Sequence, residues 1–255
     1  MTEQPVKKYA PSRWATSIRK RFARYELAIL IAIVVIAGGA WAFVVLADEV
    51  IEGDTHAIDE KLLLALRNNP ADLGDPIGPP WFEEMMRDFT ALGGFGVLTV
   101  LTASVLGYLL LQGKRYGALF VLATVIGGMV LSLLLKQGFS RPRPDLVPHG
   151  SIVLTASFPS GHSMLSAATY LTLGALLARF QANPRLKIYL LAVAITLTML
   201  VGVSRVYLGV HWPTDVLAGW TAGAVWAALC WLAARWLQQR GAVEQETDEP
   251  EDELA

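Results

Sequence analysis

The chain has 255 residues, of which 54% are hydrophobic and 17% charged, with a formal net charge of −1. Soluble globular domains carry about a quarter charged residues, so the composition points to the bilayer, and the near-neutral balance argues against a nucleic-acid partner. The one cysteine, Cys230, excludes an intramolecular disulfide and reads as a small packed residue, and no Cys/His metal spacing occurs.

Six stretches approach the length a spanning helix needs, about 20 mostly apolar residues. They are 26–47, 91–111, 116–135, 162–180, 187–203 and 215–237, with 162–180 the least apolar. The expected fold is therefore all-α, a six-transmembrane-helix bundle. Ahead of the first span lies an arm with Lys7, Lys8, Arg13, Arg19, Lys20, Arg21 and Arg24. Basic loops stay cytoplasmic, so residues 1–25 form a cytoplasmic basic arm and the first span an uncleaved signal anchor. A cleaved signal peptide has a shorter apolar core, and Val45-Leu46-Ala47 matches its cleavage site weakly. Alternation then puts Lys114-Arg115, the Arg179–Lys187 turn, Arg235 and Arg240 on the cytoplasmic side as well. The 48–89 loop faces outward and is acidic. Within it, 55–68 carries Ile58, Leu62 and Leu66 at helical spacing and reads as an interfacial amphipathic helix. The Pro- and Gly-containing ADLGDPIGPP follows, and WFEEMMRDF leads helically into the second span.

Gly219 and Gly223 make a small-xxx-small face in the sixth span, and Gly38-Gly39, Gly93-Gly94 and Gly127-Gly128 read as packing sites of the same kind. The tail, 239–255, is acidic and poor in apolar residues, and reads as a disordered cytoplasmic segment. The span-bearing domain is 26–238.

On the outer face the only basic residues outside the 48–89 loop are Lys136, Arg141, Arg143 and Arg205. Basic groups on the side that usually lacks them need a reason other than topology. Lys136 ends the third span, and Arg143 sits between Pro142 and Pro144. Each has a plain reading, as a snorkelling lysine and a solvated loop charge. Together they can hold phosphoryl oxygens, the arginine as a fork and the lysine as a point charge. Pro159-Ser160-Gly161-His162 opens the fourth span. Ser160 serves there as an ordinary helix cap, or the helix N-terminus receives an anion, Gly161 admits it, and His162 protonates a departing oxygen. Ser204-Arg205 closes the fifth span, and His211-Trp212-Pro213-Thr214-Asp215 opens the sixth. Arg205 supplies a third cation. With Pro213 in the first helical turn, Asp215 turns back to His211, fixes its tautomer and leaves the other ring nitrogen as a nucleophile; Asp215 as a helix cap is the alternative. All these ends meet on one face. Asp145 and Asp215 are too few and too dispersed for a divalent metal, so metal-independent phosphoryl chemistry without a cofactor is expected.

These residues resemble the three-part signature of the type 2 phosphatidic acid phosphatase superfamily: Lys136 seven residues before Arg143-Pro144, then Pro159-Ser160-Gly161-His162, then Ser204-Arg205 with His211 and Asp215. The signature covers roughly residues 130–220, and the six-span frame resembles integral-membrane members. The resemblance implies a lipid phosphate or pyrophosphate phosphatase working through a phosphohistidine on His211. Asp215 would orient His211, and His162 would serve the leaving oxygen. Lys136, Arg143, Ser160, Gly161 and Arg205 would grip the phosphoryl group. It implies a lipid phosphate partner, such as undecaprenyl pyrophosphate, phosphatidylglycerol phosphate or phosphatidic acid, and the loop charges with alternating spans put the active site outside the cell (inner) membrane. It leaves open the oligomeric state and a lipid-to-lipid phosphotransferase. Vanadium-dependent haloperoxidases share the signature, but they are soluble, unlike a chain with six apolar spans.

Overall fold

The computed structural model describes residues 13–69, 72–144 and 156–239; residues 1–12 of the expected arm and all but the first residue of the expected tail lie outside them. Within the described residues eight helices and one hairpin follow in order. Helix α1 runs Arg13–Glu52, α2 His56–Leu64, β1 Arg67–Asn69 and β2 Asp72–Pro76. Then come α3 Pro80–Leu92, α4 Phe95–Leu111, α5 Arg115–Gly138, α6 Gly161–Arg179, α7 Pro184–Tyr207 and α8 Pro213–Gln239. Among the described residues four helices are long and apolar enough to cross a membrane: Leu27–Glu52 of α1, α5, α7 and α8. The pair α3 and α4, bent by 49° at its break, makes a fifth if taken as one span. The chain is an integral membrane protein, mostly helical.

Helix α6 does not reach that measure of apolarity, and the reason is its position. Eleven of its nineteen residues are buried, many of them Ser, Thr, Ala or Gly. It runs between α5, α7 and α8, so it faces protein where the others face outward, and small side chains let the neighbours approach. A Cβ added at Gly223 would stand 2.4 Å from Met164 O, and one at Gly219 2.6 Å from Ser160 O. The expected small-residue face of α8 thus packs on α6 within one chain. Gly127 sits under the Trp226 ring and Gly39 against Val225, whereas Gly38 has no neighbour within 4 Å and is not a packing site.

The outward surfaces are apolar, with Leu30, Val34, Val100, Leu119, Ile126, Leu134 and Ile195 exposed. Tyr108, Tyr116, Tyr189 and Trp236 lie exposed near the helix ends away from His211, the arrangement of an interfacial aromatic belt.

Two expectations change in the 48–89 loop. An all-helical chain did not include the antiparallel hairpin of β1 and β2. The helix there is also shorter than 55–68, and it buries an unexpected residue: Ile58 and Leu62 are exposed, while Asp59 is fully buried with Leu63. The acidic residue is drawn in by partners that sequence spacing does not reveal.

Candidate active site

Four helix ends converge beside the first loop. Helix α5 delivers Lys136 in its last turn. Beyond it the backbone is extended at Phe139, and the chain returns through Ser157, whose N–H donates to Arg141 O at 2.9 Å. An aromatic cluster fixes this junction: the Phe139 and Phe158 rings meet edge-on at 4.7 Å, and both contact Phe43 of α1. A cis Phe158–Pro159 bond precedes Ser160, the N-cap of α6.

The first backbone bond of α6 runs from Met164 N–H to Ser160 O, 3.0 Å. The N–H groups of Gly161, His162 and Ser163 therefore precede the helical ladder, as at any helix start. A Cβ at Gly161 would stand 3.5 Å from Lys136 Cε and from Ser132 Oγ, so this helix end and the lysine are neighbours. Lys136 Nζ donates to Ala156 O at 2.8 Å. Ser160 Oγ accepts from Ser163 Oγ, and its N–H donates to Asp215 O.

Helix α7 carries Arg205 in its last turn. Arg205 Nη1 donates to Thr90 Oγ1 of α3 at 3.0 Å, while its buried Nε has no hydrogen-bond partner. A buried guanidinium N–H without an acceptor is costly, and an anion supplies one. Gly209, at φ 68°, is the left-handed residue that ends the helix and turns the chain toward His211.

His211 is 1% exposed. Its Nδ1 lies 3.3 Å from Asp215 Oδ2 and 3.3 Å from Ser157 Oγ, both acceptors for an Nδ1–H. Its Nε2 lies 3.2 Å from Arg143 Nη1, a group that can only donate. The neighbours therefore select the tautomer with the proton on Nδ1 and the lone pair on Nε2. Arg143 Nη1 also donates to Val210 O at 3.0 Å. Burial, only partly offset by the hydrogen bond with Asp215, lowers the His211 pKa to about 3, so the ring is neutral. Burial also draws the Arg143 guanidinium below its ordinary value, against the attraction of Asp215. Arg205, His211, Arg143 and Lys136 all lie within electrostatic range of the His162 ring. The structure thus brings Lys136, Arg143, Arg205 and His211 together around His162.

Asp215 is fully buried. Oδ2 accepts from Trp212 N–H at 2.9 Å, from His211 and, in a very short contact, from Ser157 Oγ. It is helix cap and imidazole partner at once. Sequence reasoning missed Ser157, Thr90 and the partners of Asp215 Oδ1. That oxygen accepts from Arg141 Nη1 at 2.8 Å, and Arg141 Nη2 reaches Asp59 Oδ2 at 2.6 Å. The signal for Arg141 was present in the sequence as the one cation of the outer-face four left without a role. Among the described residues no three His, Cys, Asp or Glu side chains group to hold a metal ion. What gathers is positive charge around a neutral imidazole, an arrangement suited to a multiply charged anion and the transfer of its central atom.

The model of the PAP2 superfamily matches residues 117–239, the stretch that holds all these positions except Phe43, Asp59 and Thr90. Phosphatidylglycerophosphatase B of Bacillus subtilis is 36% identical over 152 residues, covering 58% of this chain and 72% of that protein. The lipid A 1-phosphatase of Rhizobium etli is 35% identical over 120 residues, 43% of this chain and 47% of that protein. The undecaprenyl-diphosphatase of Sulfolobus acidocaldarius is 34% identical over 108 residues, 41% and 47%. The solved transmembrane PAP2-type phosphatidylglycerolphosphate phosphatase from Bacillus subtilis superposes with a TM-score of 0.70 at 28% identity, covering 81% of this chain and 97% of that one.

Proposed function

The chain belongs to the PAP2 superfamily and is a membrane phosphatase, and we propose that it releases phosphate from a lipid phosphate or diphosphate through a phosphohistidine on His211. The observation that carries this reading is the pairing at His211, with Nδ1 against Asp215 and Nε2 against the Arg143 guanidinium. Nε2 attacks the terminal phosphorus and its bond to the leaving oxygen breaks, the lipid oxygen of a monophosphate or the bridging oxygen of a diphosphate. That oxygen leaves with the electron pair and takes a proton from His162. Water, deprotonated by His162, then attacks the phosphohistidine and frees His211 and phosphate. Lys136, Arg143 and Arg205, with Ser160 and the Gly161 backbone at the start of α6, hold the phosphoryl oxygens as charge builds on them. The cationic charge comes from side chains, and we place no metal or cofactor in the step.

The same reading arranges the chain in the membrane. Helix α6 is a sixth crossing, enclosed by the others, and α3 with α4 is one broken crossing. The basic residues at the ends away from His211, namely Lys114, Arg115, Arg179, Arg185 and Lys187, mark the cytoplasmic side. Both termini, the 1–25 arm and the 239–255 tail lie there, and the site opens outside the cell membrane. The exposed Ile58 and Leu62 of α2 rest on the outer interface. The substrate is phosphatidylglycerol phosphate, undecaprenyl pyrophosphate or phosphatidic acid, the first two in keeping with the names of relatives.

Purified protein in detergent with EDTA releases phosphate from at least one of these three lipids. Acid-quenched protein carries an acid-labile phosphate on His211, and His211→Ala abolishes both signals while still inserting. Phosphate release by that variant at the wild-type rate overturns the nucleophile assignment. Phosphorylated acceptor lipid in place of free phosphate, seen by mass spectrometry, identifies a phosphotransferase.

A further inference from the structure

Behind Asp215 lies a buried chain of charge that reaches out of the signature into the first loop. Asp59 of α2 is fully buried. Oδ2 meets Arg141 Nη2 at 2.6 Å and accepts from Thr214 Oγ1 at 2.5 Å, and Oδ1 accepts from Thr214 N–H at 3.0 Å. Arg141, its side chain 10% exposed, turns its other terminal nitrogen to Asp215 Oδ1 at 2.8 Å and to Thr214 Oγ1 at 2.7 Å. Thr55 Oγ1 lies 3.3 Å from Nη2, and the Arg141 guanidinium stands 5.6 Å from the Trp212 ring. One arginine is thus shared by two carboxylates, and one of these is the partner of His211.

We propose that Asp59 is a positioning residue for the reaction: by neutralising Arg141 it leaves Asp215 a full negative charge to spend on His211. The arithmetic is that of three buried charges. Asp59, Arg141 and Asp215 sum to −1, and that charge sits nearest the imidazole. Without Asp59 the sum is zero, Arg141 draws on Asp215 alone, and the positive charge that forms on the phosphorylated ring loses its counter-ion. Without Arg141 the sum is −2 and two buried carboxylates repel. Removing both charges returns −1 to Asp215. A helix cap made by Asp59 on Thr214 predicts no such recovery, because the double variant restores no hydrogen bond. The inference rests on His211 as the nucleophile.

The test is a double-mutant cycle on the full chain in detergent, with Asp59→Asn, Arg141→Gln and the double variant. Each is assayed for kcat, KM, acid-labile phosphohistidine after quenching, and thermal midpoint. Each single variant is expected to lose about tenfold or more in kcat with KM within about twofold, as for outer-shell partners elsewhere. The double variant is expected to exceed both singles in kcat and in phosphohistidine formed. A double variant no faster than the slower single overturns the proposal. So does a double variant that regains thermal stability but not kcat, since the network is then structural only. Phosphohistidine trapped in the wild type, together with losses that simply add, removes this inference alone; absence of phosphohistidine in the wild type removes the nucleophile as well.

Discussion

His211 is held as a neutral ring by its surroundings, and this has consequences on both sides of its titration. With its pKa lowered to about 3 by burial, the ligand-free imidazole keeps its lone pair well below the ordinary histidine value of about 6.5. Imidazole nitrogen shifts in selectively labelled protein are expected to stay those of the neutral Nδ1–H tautomer from pH 7.5 to 5; a transition near 6.5 contradicts this. The unfolded chain binds that proton and the folded one does not. The contribution of this ring to stability is therefore present above about pH 6.5 and lost as pH falls toward 3. Arg205 makes a different demand. One arm of its fork is used on Thr90, and Nε is buried without a partner. A lysine cannot reproduce both directions, so Arg205→Lys is expected to lower kcat/KM about 100-fold, read on the preferred lipid, with thermal stability little changed.

Helices bring these groups into register, and their contact is set by glycine. Methyl groups at Gly219 and Gly223 would run into the α6 backbone at Ser160 O and Met164 O. The first of these contacts lies at the N-cap of α6, beside the groups assigned to phosphate. Gly223→Val is expected to cost about 1–3 kcal/mol, the usual range for overpacking, and to lower the thermal midpoint together with activity. Gly38→Ala, where nothing lies within 4 Å, leaves both unchanged; equal effects at the two sites would contradict the packing account. Apolar length is a local property, so four of the six stretches, 26–47, 116–135, 187–203 and 215–237, fall on helices long and apolar enough to span; 91–111 instead runs from the end of α3 across a bend into α4, and 162–180 falls on α6, which is not apolar enough. What periodicity did not show in α2 was its buried acid. Ile58 and Leu62 lie exposed, but Asp59 turns inward because Arg141 and Thr214, more than 80 residues away in sequence, satisfy its carboxylate. The hairpin of β1 and β2 escaped for a related reason. Three and five residues rich in Asn, Asp and Gly carry no strand pattern, and the Arg67 side chain holds it by donating to Tyr207 O at the end of α7.

Among the described residues, Lys114, Arg115, Arg179, Arg185 and Lys187 lie at the end of the bundle away from His211, and this gives a topology test. In a Cys230→Ser background, Glu84→Cys is expected to react with a membrane-impermeant maleimide in intact cells, and Arg185→Cys only after permeabilisation. The reverse pattern places the site on the cytoplasmic side. The signature residues and their common end of the bundle could be read from one dimension, because each cluster adjoins the end of an apolar segment and alternation decides which ends meet. Composition likewise sufficed for a membrane protein. Three things needed tertiary structure: the sharing of Arg141 between Asp59 and Asp215, the short bond from Ser157 to Asp215, and the enclosure of α6 by its neighbours. Each is a contact between residues distant in the chain. A buried charge declares its partner only through distance in space, and a small-residue helix shows whether it faces protein or lipid only once the helices around it are placed.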